Sequence, residues 1–330
     1  MPAGGYCKVQ SPETARQAEE GREKDWPGIP DDAGVEHLVR EDRIMGTDSK
    51  DAIDVALVEF SPVWEEPEAN LAVLGDLFDA IFSGGVLPAL PDMVVLPEFF
   101  AAGFTMNPEL AEPAGSPETL GWMKSVSARY GCAVAGSVPV SEAGKRYNRM
   151  FFVQPDSGVR PSAHVSSVEP AVHVDFYDKA HLFFGGEEEN YTPGTERKVF
   201  VFKGWRILPG ICFDLRFPGW ARNSGHNPYD LYLNIANWPV ARNAAADTLI
   251  RARSVENVCW SLFCNRTGSD RLLDYSGNSA VIDFRGRSRG KRYDADGVPV
   301  LWARMEKAPM LRFREGFPIL GKMDENINSI

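Results

Sequence analysis

Short apolar runs alternate with segments of helical period from residue 51 onward. AIDVALVEF (52–60) is rich in β-branched residues and predicts a strand, whereas ANLAVLGDLFDAIF (69–82) collects its large apolar residues on one helical face. A strand at DMVVLPEFF (92–100), a helix over 120–131 that ends at a glycine, and a strand at CAVAGSVPV (132–140) follow. This order is typical of consecutive βαβ units.

The same alternation of strands and helices continues to about residue 284. Two helices are predicted, one after Phe217 and one across 243–258, and the further strands are RMFFVQ, VHVDFYD, KVFVFKG, WRILPGICF, DLYLNIAN, VCWSLFCN and SAVIDF. Several of these strands follow one another without an intervening helix. The pattern therefore predicts an α/β sandwich rather than a purely doubly wound sheet.

Two polar segments stand apart from this periodic region. Residues 1–50 are mixed in charge and poor in large apolar side chains, which predicts a mobile N-terminal extension and places the folded domain at 51–325. DSGVRPSAHVSSVEPAVH (156–173) predicts a surface loop between two strands.

Composition narrows the classes of function. A formal charge of -11 and a pI near 5.1 argue against a nucleic-acid binder and favour a small-molecule or protein partner. No apolar run is long enough to span a bilayer. We expect no metal or organic cofactor, because the amide hydrolysis described below requires none, and the absence of a phosphate loop or dinucleotide motif agrees. The cysteine pattern indicates a reducing compartment, so we expect a cytoplasmic protein. The five cysteines contain no CxxC pair, which predicts neither a disulfide framework nor a zinc site: Cys7, Cys132, Cys212, Cys259 and Cys264.

Three reactive side chains follow three predicted strands. Glu98 comes after MVVLP, Lys179 after HVDFYD, and Cys212 after WRILPGI. Each has an ordinary structural explanation, as a carboxylate at a helix start, a loop charge and a buried thiol. Because the carboxyl ends of strands in α/β folds collect catalytic groups, the three together supply the base, cation and thiol of amide hydrolysis through a thioester.

The strings around these residues resemble a known family. LPEFF, YDKAHLF and GICFDLRFP are similar, in order and spacing, to the Glu-Lys-Cys motifs of the nitrilase superfamily (carbon-nitrogen hydrolases). Within it, GEEENYTPG, NIANWP, RARSVEN and CNRTGSD resemble the omega-amidase branch, which includes bacterial 2-oxoglutaramate amidase-like members. The resemblance covers about residues 52–320. It implies a four-layer α-β-β-α sandwich and a homodimer or higher assembly.

The resemblance also implies roles for the three residues. Cys212 is the expected nucleophile, Glu98 the general base and then the general acid, and Lys179 the cation that stabilises the tetrahedral oxyanion. The backbone N–H of Phe213 is expected to complete the oxyanion hole with Lys179.

A fourth catalytic residue is expected from the same resemblance. The family carries a glutamate seven residues before the glycine of its YTPG-like string, and counting back from Gly194 gives Glu187. Glu188 and Glu189 are adjacent alternatives.

The remaining site residues are expected from their positions near strand ends. Trp238 and Pro239 are predicted to wall the pocket, Arg242 to be either a carboxylate clamp or a loop arginine, and Phe104 and Met106 to be either pocket lining or core.

The segment after the cysteine is expected to be a tight turn that leads into a helix, whose N-terminus would favour the thiolate. We expect Asp214 and Arg216 to hold this turn by hydrogen bonds and ion pairs, and direct contact with the substrate is the alternative.

The substrate class implied by the resemblance is the terminal amide of 2-oxoglutaramate and 2-oxosuccinamate, cleaved to ammonia and a 2-oxo dicarboxylate. The alternatives are another carbon-nitrogen hydrolase specificity, such as a carbamoyl-amide hydrolase or a nitrilase, and a catalytically silent paralogue that acts as a binding protein.

Overall fold

The computed structural model describes residues 51–156 and 171–322. The predicted mobile extension (1–50) lies outside the described residues, as does most of the predicted surface loop at 156–173. Within the described part of the chain, no helix is long and apolar enough to cross a membrane.

The strands of the described ranges are β1 (Ala52–Val58), β2 (Met93–Val95), β3 (Glu112–Pro113), β4 (Ala133–Glu142), β5 (Lys145–Pro155), β6 (Val172–Asp178), β7 (Phe200–Phe202), β8 (Trp205–Ile211), β9 (Leu231–Ala236), β10 (Trp260–Asn265), β11 (Thr267–Ser269), β12 (Asp274–Ser276), β13 (Ala280–Ile282), β14 (Ser288–Arg289), β15 (Lys291–Ala295) and β16 (Val298–Glu306). The α-helices are α1 (Pro67–Phe82), α2 (Glu118–Tyr130), α3 (Glu187–Asn190), α4 (Pro218–Ala221), α5 (Asn243–Asn257) and α6 (Lys307–Gly316). Short 3₁₀ turns lie at Pro108–Leu110, Cys212–Arg216 and Val240–Arg242.

Two sheets carry most of these strands. The first has the order β15-β16-β1-β2-β4-β5-β6, with β3 also paired to β4, and the second has the order β14-β13-β10-β9-β8-β7. The central neighbours β1, β2 and β4 are parallel, as are β8, β9 and β10, and the outer strands pair antiparallel. Each sheet therefore brings the carboxyl ends of its central strands to one edge.

Alternation along the strands separates the layers. In β1, Val55 and Leu57 pack between the sheets together with Leu233 of β9, whereas Ala56 packs against the α1 and α2 layer. Tyr232 of β9 faces away from the first sheet, in the cluster that includes the buried face of α5. Because successive strand residues point to opposite faces, one run of apolar residues fills two cores. The layers are helix, sheet, sheet and helix, which confirms the predicted four-layer sandwich.

Most predicted elements are confirmed. β6 has the predicted bounds. Gly131, the residue directly after α2, has the left-handed conformation (φ 61°), which a glycine adopts without steric cost. The sequence prediction missed β15 and β16, which return the chain to pair with β1 at the far side of the first sheet.

Candidate active site

The ends of strands from both sheets meet at one cluster of polar side chains. Glu98 follows β2, Lys179 follows β6 directly, and Cys212 follows β8 in the opposite sheet. Glu187 is the first residue of α3, and its side chain is buried, whereas Glu188 and Glu189 are exposed. The structure thus brings the three predicted strand-end residues and Glu187 together.

The ammonium of Lys179 joins the two carboxylates. Its Nζ donates to Glu98 Oε1 at 2.9 Å and to Glu187 Oε2 at 2.7 Å, and all three side chains are fully buried. Buried charges are tolerated when they are paired and hydrogen-bonded, and both conditions hold here.

Two asparagines that sequence reasoning missed hold the carboxylates in place. Asn148 Nδ2 donates to Glu98 Oε1 at 2.8 Å and to Glu187 Oε1 at 2.9 Å, while the backbone N–H of Asn237 donates to Glu98 Oε2 at 3.0 Å. The backbone N–H of Phe183 donates to Glu187 Oε2 at 2.7 Å. A signal was present in the sequence, because Asn148 stands at the start of the buried run of β5 and Asn237 directly follows the buried strand β9, where a polar side chain needs a partner.

Cys212 lies in a strained turn. Its φ of 45° is in the left-handed region, which costs a residue with a Cβ about 1 kcal/mol or more. Residues Cys212–Arg216 form a 3₁₀ turn that leads into α4, which begins at Pro218, so the predicted tight turn before a helix is confirmed. The expected effect of a helix N-terminus on the thiolate stays a prediction. The backbone N–H of Phe213 belongs to the first turn, where N–H groups have no intrahelical acceptor.

The carboxylate of Asp214 fixes this turn, as predicted. Its Oδ2 accepts from the backbone N–H of Ile211 at 2.9 Å and from the hydroxyl of Tyr177 at 2.8 Å. Its Oδ1 contacts His181 twice, at the backbone N–H (2.9 Å) and at ring Nδ1 (2.7 Å). Since Tyr177 and His181 flank Lys179, one carboxylate ties the lysine's segment to the residue that precedes Cys212.

Arg216 does not share this role, and the prediction that it holds the turn is wrong. Its side chain is exposed, and its guanidinium lies over the ring of Trp238, 5.2 Å from the ring centroid. The turn points Arg216 away from the core and into the cavity beside Cys212.

Burial and the neighbouring charges together shift the pKa values of Cys212, Lys179 and Glu187. Burial raises the pKa of the Cys212 thiol well above its usual range, and the Glu98 carboxylate raises it further against the opposing effect of Lys179. For Lys179, burial acts to lower the pKa, but the carboxylates of Glu187 and Glu98 outweigh it and raise that pKa. Burial likewise raises the pKa of Glu187, against the lowering effect of Lys179. These directions of the two pKa shifts favour a protonated Cys212 thiol beside a charged Lys179.

A cavity of about 360 Å³ opens beside the cysteine. The predicted lining residues Phe104, Trp238, Pro239 and Arg242 all border it, together with Cys212. A larger cavity, of about 650 Å³, lies against α6. Glu98, Lys179, Glu187 and Cys212 do not border it.

Three further residues complete the description of this cavity. Phe213 borders it as predicted, and Tyr275, which the sequence prediction missed, lies on its wall. Met106 instead packs with the buried cluster of Phe99, Leu182 and Tyr191, so its side chain belongs to the core.

Comparison with known proteins agrees with this arrangement. Residues 54–293 match the carbon-nitrogen hydrolase family. The chain belongs to the carbon-nitrogen hydrolase family. It is 35% identical to the omega-amidase YafV of Yersinia enterocolitica over 277 residues, which is 83% of this chain and 97% of that protein. It is 28% identical to the 2-oxoglutaramate amidase of Bacillus subtilis, over 72% of this chain and 86% of the relative.

Solved structures of carbon-nitrogen hydrolases share the fold. The CN-hydrolase superfamily protein XC1258 of Xanthomonas campestris, whose structure holds an arsenic adduct in the active site, is 35% identical, with a TM-score of 0.69 and coverage of 82% of this chain and 96% of that one. Nit3 of Saccharomyces cerevisiae, a member of branch 10 of the nitrilase superfamily, has a TM-score of 0.67 at 21% identity, covering 82% of this chain and 97% of its own.

Proposed function

We propose that this protein is an omega-amidase, which hydrolyses the terminal amide of 2-oxoglutaramate and 2-oxosuccinamate to ammonia and the 2-oxo dicarboxylate. The observation that carries the proposal is the buried ammonium of Lys179 between Glu98 and Glu187, beside the strained turn of Cys212. The omega-amidase and 2-oxoglutaramate amidase relatives support the substrate class.

The first half-reaction forms the thioester. The thiol of Cys212 gives its proton to the Glu98 carboxylate as sulfur attacks the amide carbon, and negative charge develops on the amide oxygen. The Lys179 ammonium and the Phe213 backbone N–H stabilise this oxyanion. Because the pKa of Cys212 is raised, the thiol is protonated before the reaction. Glu98 must therefore act as a general base that removes this proton during the attack.

Protonated Glu98 then completes the first half-reaction: it transfers its proton to the departing nitrogen, and the C–N bond breaks to release ammonia and leave the thioester. The second half-reaction regenerates the enzyme. The same carboxylate then takes a proton from water, whose oxygen attacks the thioester carbon, and the thiol is restored as the acid product leaves. Glu187 and Asn148 hold Lys179 and Glu98 at the reacting centre throughout.

The cavity beside the sulfur has aromatic walls. The rings of Phe104 and Trp238 border the space next to Cys212, where the substrate and then the attacking water are expected to lie.

Ammonia release from a small panel tests the function. The panel contains 2-oxoglutaramate, 2-oxosuccinamate, glutamine, an N-carbamoyl amine and a simple nitrile. We expect the two 2-oxo acid amides to be hydrolysed faster than the others. Faster release from the carbamoyl compound or the nitrile would assign a different carbon-nitrogen hydrolase specificity, and no release from any compound would indicate a silent paralogue.

A pair of cysteine variants isolates the nucleophile. Cys212→Ala is expected to abolish ammonia release with an unchanged circular dichroism spectrum, while Cys259→Ala, in the core outside the cavity, retains release. Unfolding of Cys212→Ala would instead indicate that this thiol serves core packing.

A further inference from the structure

The general base Glu98 is held on one side by a residue of the second sheet. Its Oε2 accepts from the backbone N–H of Asn237 at 3.0 Å, and the side chain of Asn237 donates to the backbone oxygen of Glu98 at 2.8 Å. Asn237 is the first residue after β9, where the ladder with β10 has ended at the pair Ala236 and Asn265. The position of Glu98 Oε2 therefore depends on what fixes the chain beyond β9.

The side-chain amide of Asn265 fixes this part of the chain. Its Oδ1 accepts from the backbone N–H of Trp238 at 2.7 Å, and its Nδ2 donates to the backbone oxygen of Trp238 at 2.8 Å. A side-chain amide carries an acceptor and a donor side by side, as a peptide group does, so it can pair with both polar groups of one residue. Asn265 thus supplies Trp238 with the kind of partner that a neighbouring strand would offer.

The second N–H of the same amide holds another segment at the cavity. Nδ2 also donates to the backbone oxygen of Gly277 at 2.7 Å, directly after β12, which carries the cavity residue Tyr275. Asn265 is fully buried, and its oxygen and both N–H groups have partners. One side chain therefore ties the chain after β9 and the chain after β12 to the end of β10.

We propose that Asn265 is a positioning residue for Glu98. It does not border the cavity, and it acts through the backbone of Trp238, which keeps the adjacent N–H of Asn237 directed at Glu98 Oε2. This inference rests on the proposed amidase function, in which Glu98 takes the proton of the thiol and later a proton of water. Without the side-chain amide, the chain after β9 can shift, and the carboxylate shifts with it relative to the sulfur.

Steady-state kinetics of Asn265→Ala test the assignment. A misplaced base slows proton transfer more than it weakens substrate binding, so kcat for 2-oxoglutaramate should fall about 10- to 100-fold, with KM changed less than about threefold. Asn265→Asp keeps the acceptor for the N–H of Trp238 and, when protonated, donates one hydrogen bond. Its kcat should lie between those of the wild type and Asn265→Ala. Should Asn265→Ala not fold, Asn265→Asp carries the test, with kcat at least about threefold below wild type.

Asn223 provides a matched control at the opposite end of β9. Its Oδ1 accepts from the backbone N–H of Tyr229 at 2.9 Å, and its Nδ2 donates to the backbone oxygens of Tyr229 and Asn257, each at 3.0 Å. This buried side-chain amide makes the same set of bonds as that of Asn265, but it holds the chain before β9. Asn223→Ala should lower stability in urea denaturation by a comparable amount and leave kcat within about twofold of wild type.

The outcomes separate this inference from the proposed function. A fall in kcat confined to the Asn265 variants supports the inference. A rise in KM with unchanged kcat would assign Asn265 to the cavity wall, and equal falls in kcat for Asn265→Ala and Asn223→Ala would assign it to general stability; either result, or no change at all, overturns the inference. If the wild type hydrolyses another compound of the panel faster than 2-oxoglutaramate, the substrate proposal fails, and kinetics on that compound decide the role of Asn265.

Discussion

Asp214→Asn tests how the cysteine turn is held. The carboxylate accepts from four donors: the N–H of Ile211, the hydroxyl of Tyr177, and the N–H and ring Nδ1 of His181. An amide in its place can accept only through its oxygen, so its NH₂ group faces one backbone N–H that loses its acceptor, while the Tyr177 hydroxyl or the His181 ring nitrogen beside it can accept instead. A buried donor without a partner costs about 1–3 kcal/mol, and the variant should lose roughly that much unfolding free energy.

Catalysis should suffer beyond this loss of stability. Because Asp214 ties the residue before Cys212 to the segment of Lys179, its loss lets the sulfur and the ammonium shift relative to each other. We expect kcat for ammonia release to fall by about 100-fold, the effect of a misplacement near 1 Å, with a smaller change in KM.

Urea denaturation and steady-state kinetics at a temperature where the variant stays folded check both expectations. Asp247→Asn, half exposed on α5, is the matched control and should change stability by less than about 0.5 kcal/mol. If Asp214→Asn kept wild-type stability and kcat, the reasoning would be refuted, because the four hydrogen bonds would then contribute nothing to the stability of the turn or to catalysis.

Three other predictions follow from the same structure. Since burial and the Glu98 charge raise the pKa of the Cys212 thiol, its alkylation by iodoacetamide should keep increasing above pH 8.5, and Glu98→Gln should move this pH profile to lower pH because a negative charge is removed. Glu187→Gln should lower kcat at least about tenfold by removing a charge-assisted partner of the active-site lysine, whereas exposed Glu188→Gln should leave kcat unchanged. Analytical ultracentrifugation checks the expected homodimer or higher assembly; a monomeric species at micromolar concentration would contradict it.

Local pattern was sufficient for the parts of the fold that depend on neighbours in sequence. The alternation of Val55, Ala56 and Leu57 places successive side chains in two cores, and it is visible as a strand without knowledge of either core. The strand-end positions of Lys179 and Cys212 could be predicted for the same reason. The proximity of Lys179 to Cys212 could not be predicted in this way, because it depends on how the two sheets pack face to face.

Long-range contacts account for what the sequence pattern missed. Asn148 lies 50 residues from Glu98, and Asn237 lies 139 residues from it, so their hydrogen bonds follow from sheet register rather than from spacing. Arg216 was misjudged for a related reason. Its neighbour Asp214 points into the protein, and the 3₁₀ turn that begins at Cys212 sends the arginine to the opposite side, toward the cavity.

The raised pKa of Cys212 changes which observation identifies an activated nucleophile. Cys132, Cys259 and Cys264 are fully buried, so selective alkylation of Cys212 among these four would report its access to the cavity and nothing about its reactivity. A thiol that is protonated at rest is activated when its proton moves to Glu98 during attack. The informative quantity is therefore the dependence of the reaction on Glu98: an amide substrate should lose its turnover in Glu98→Gln, even though the same change makes the thiolate easier to form.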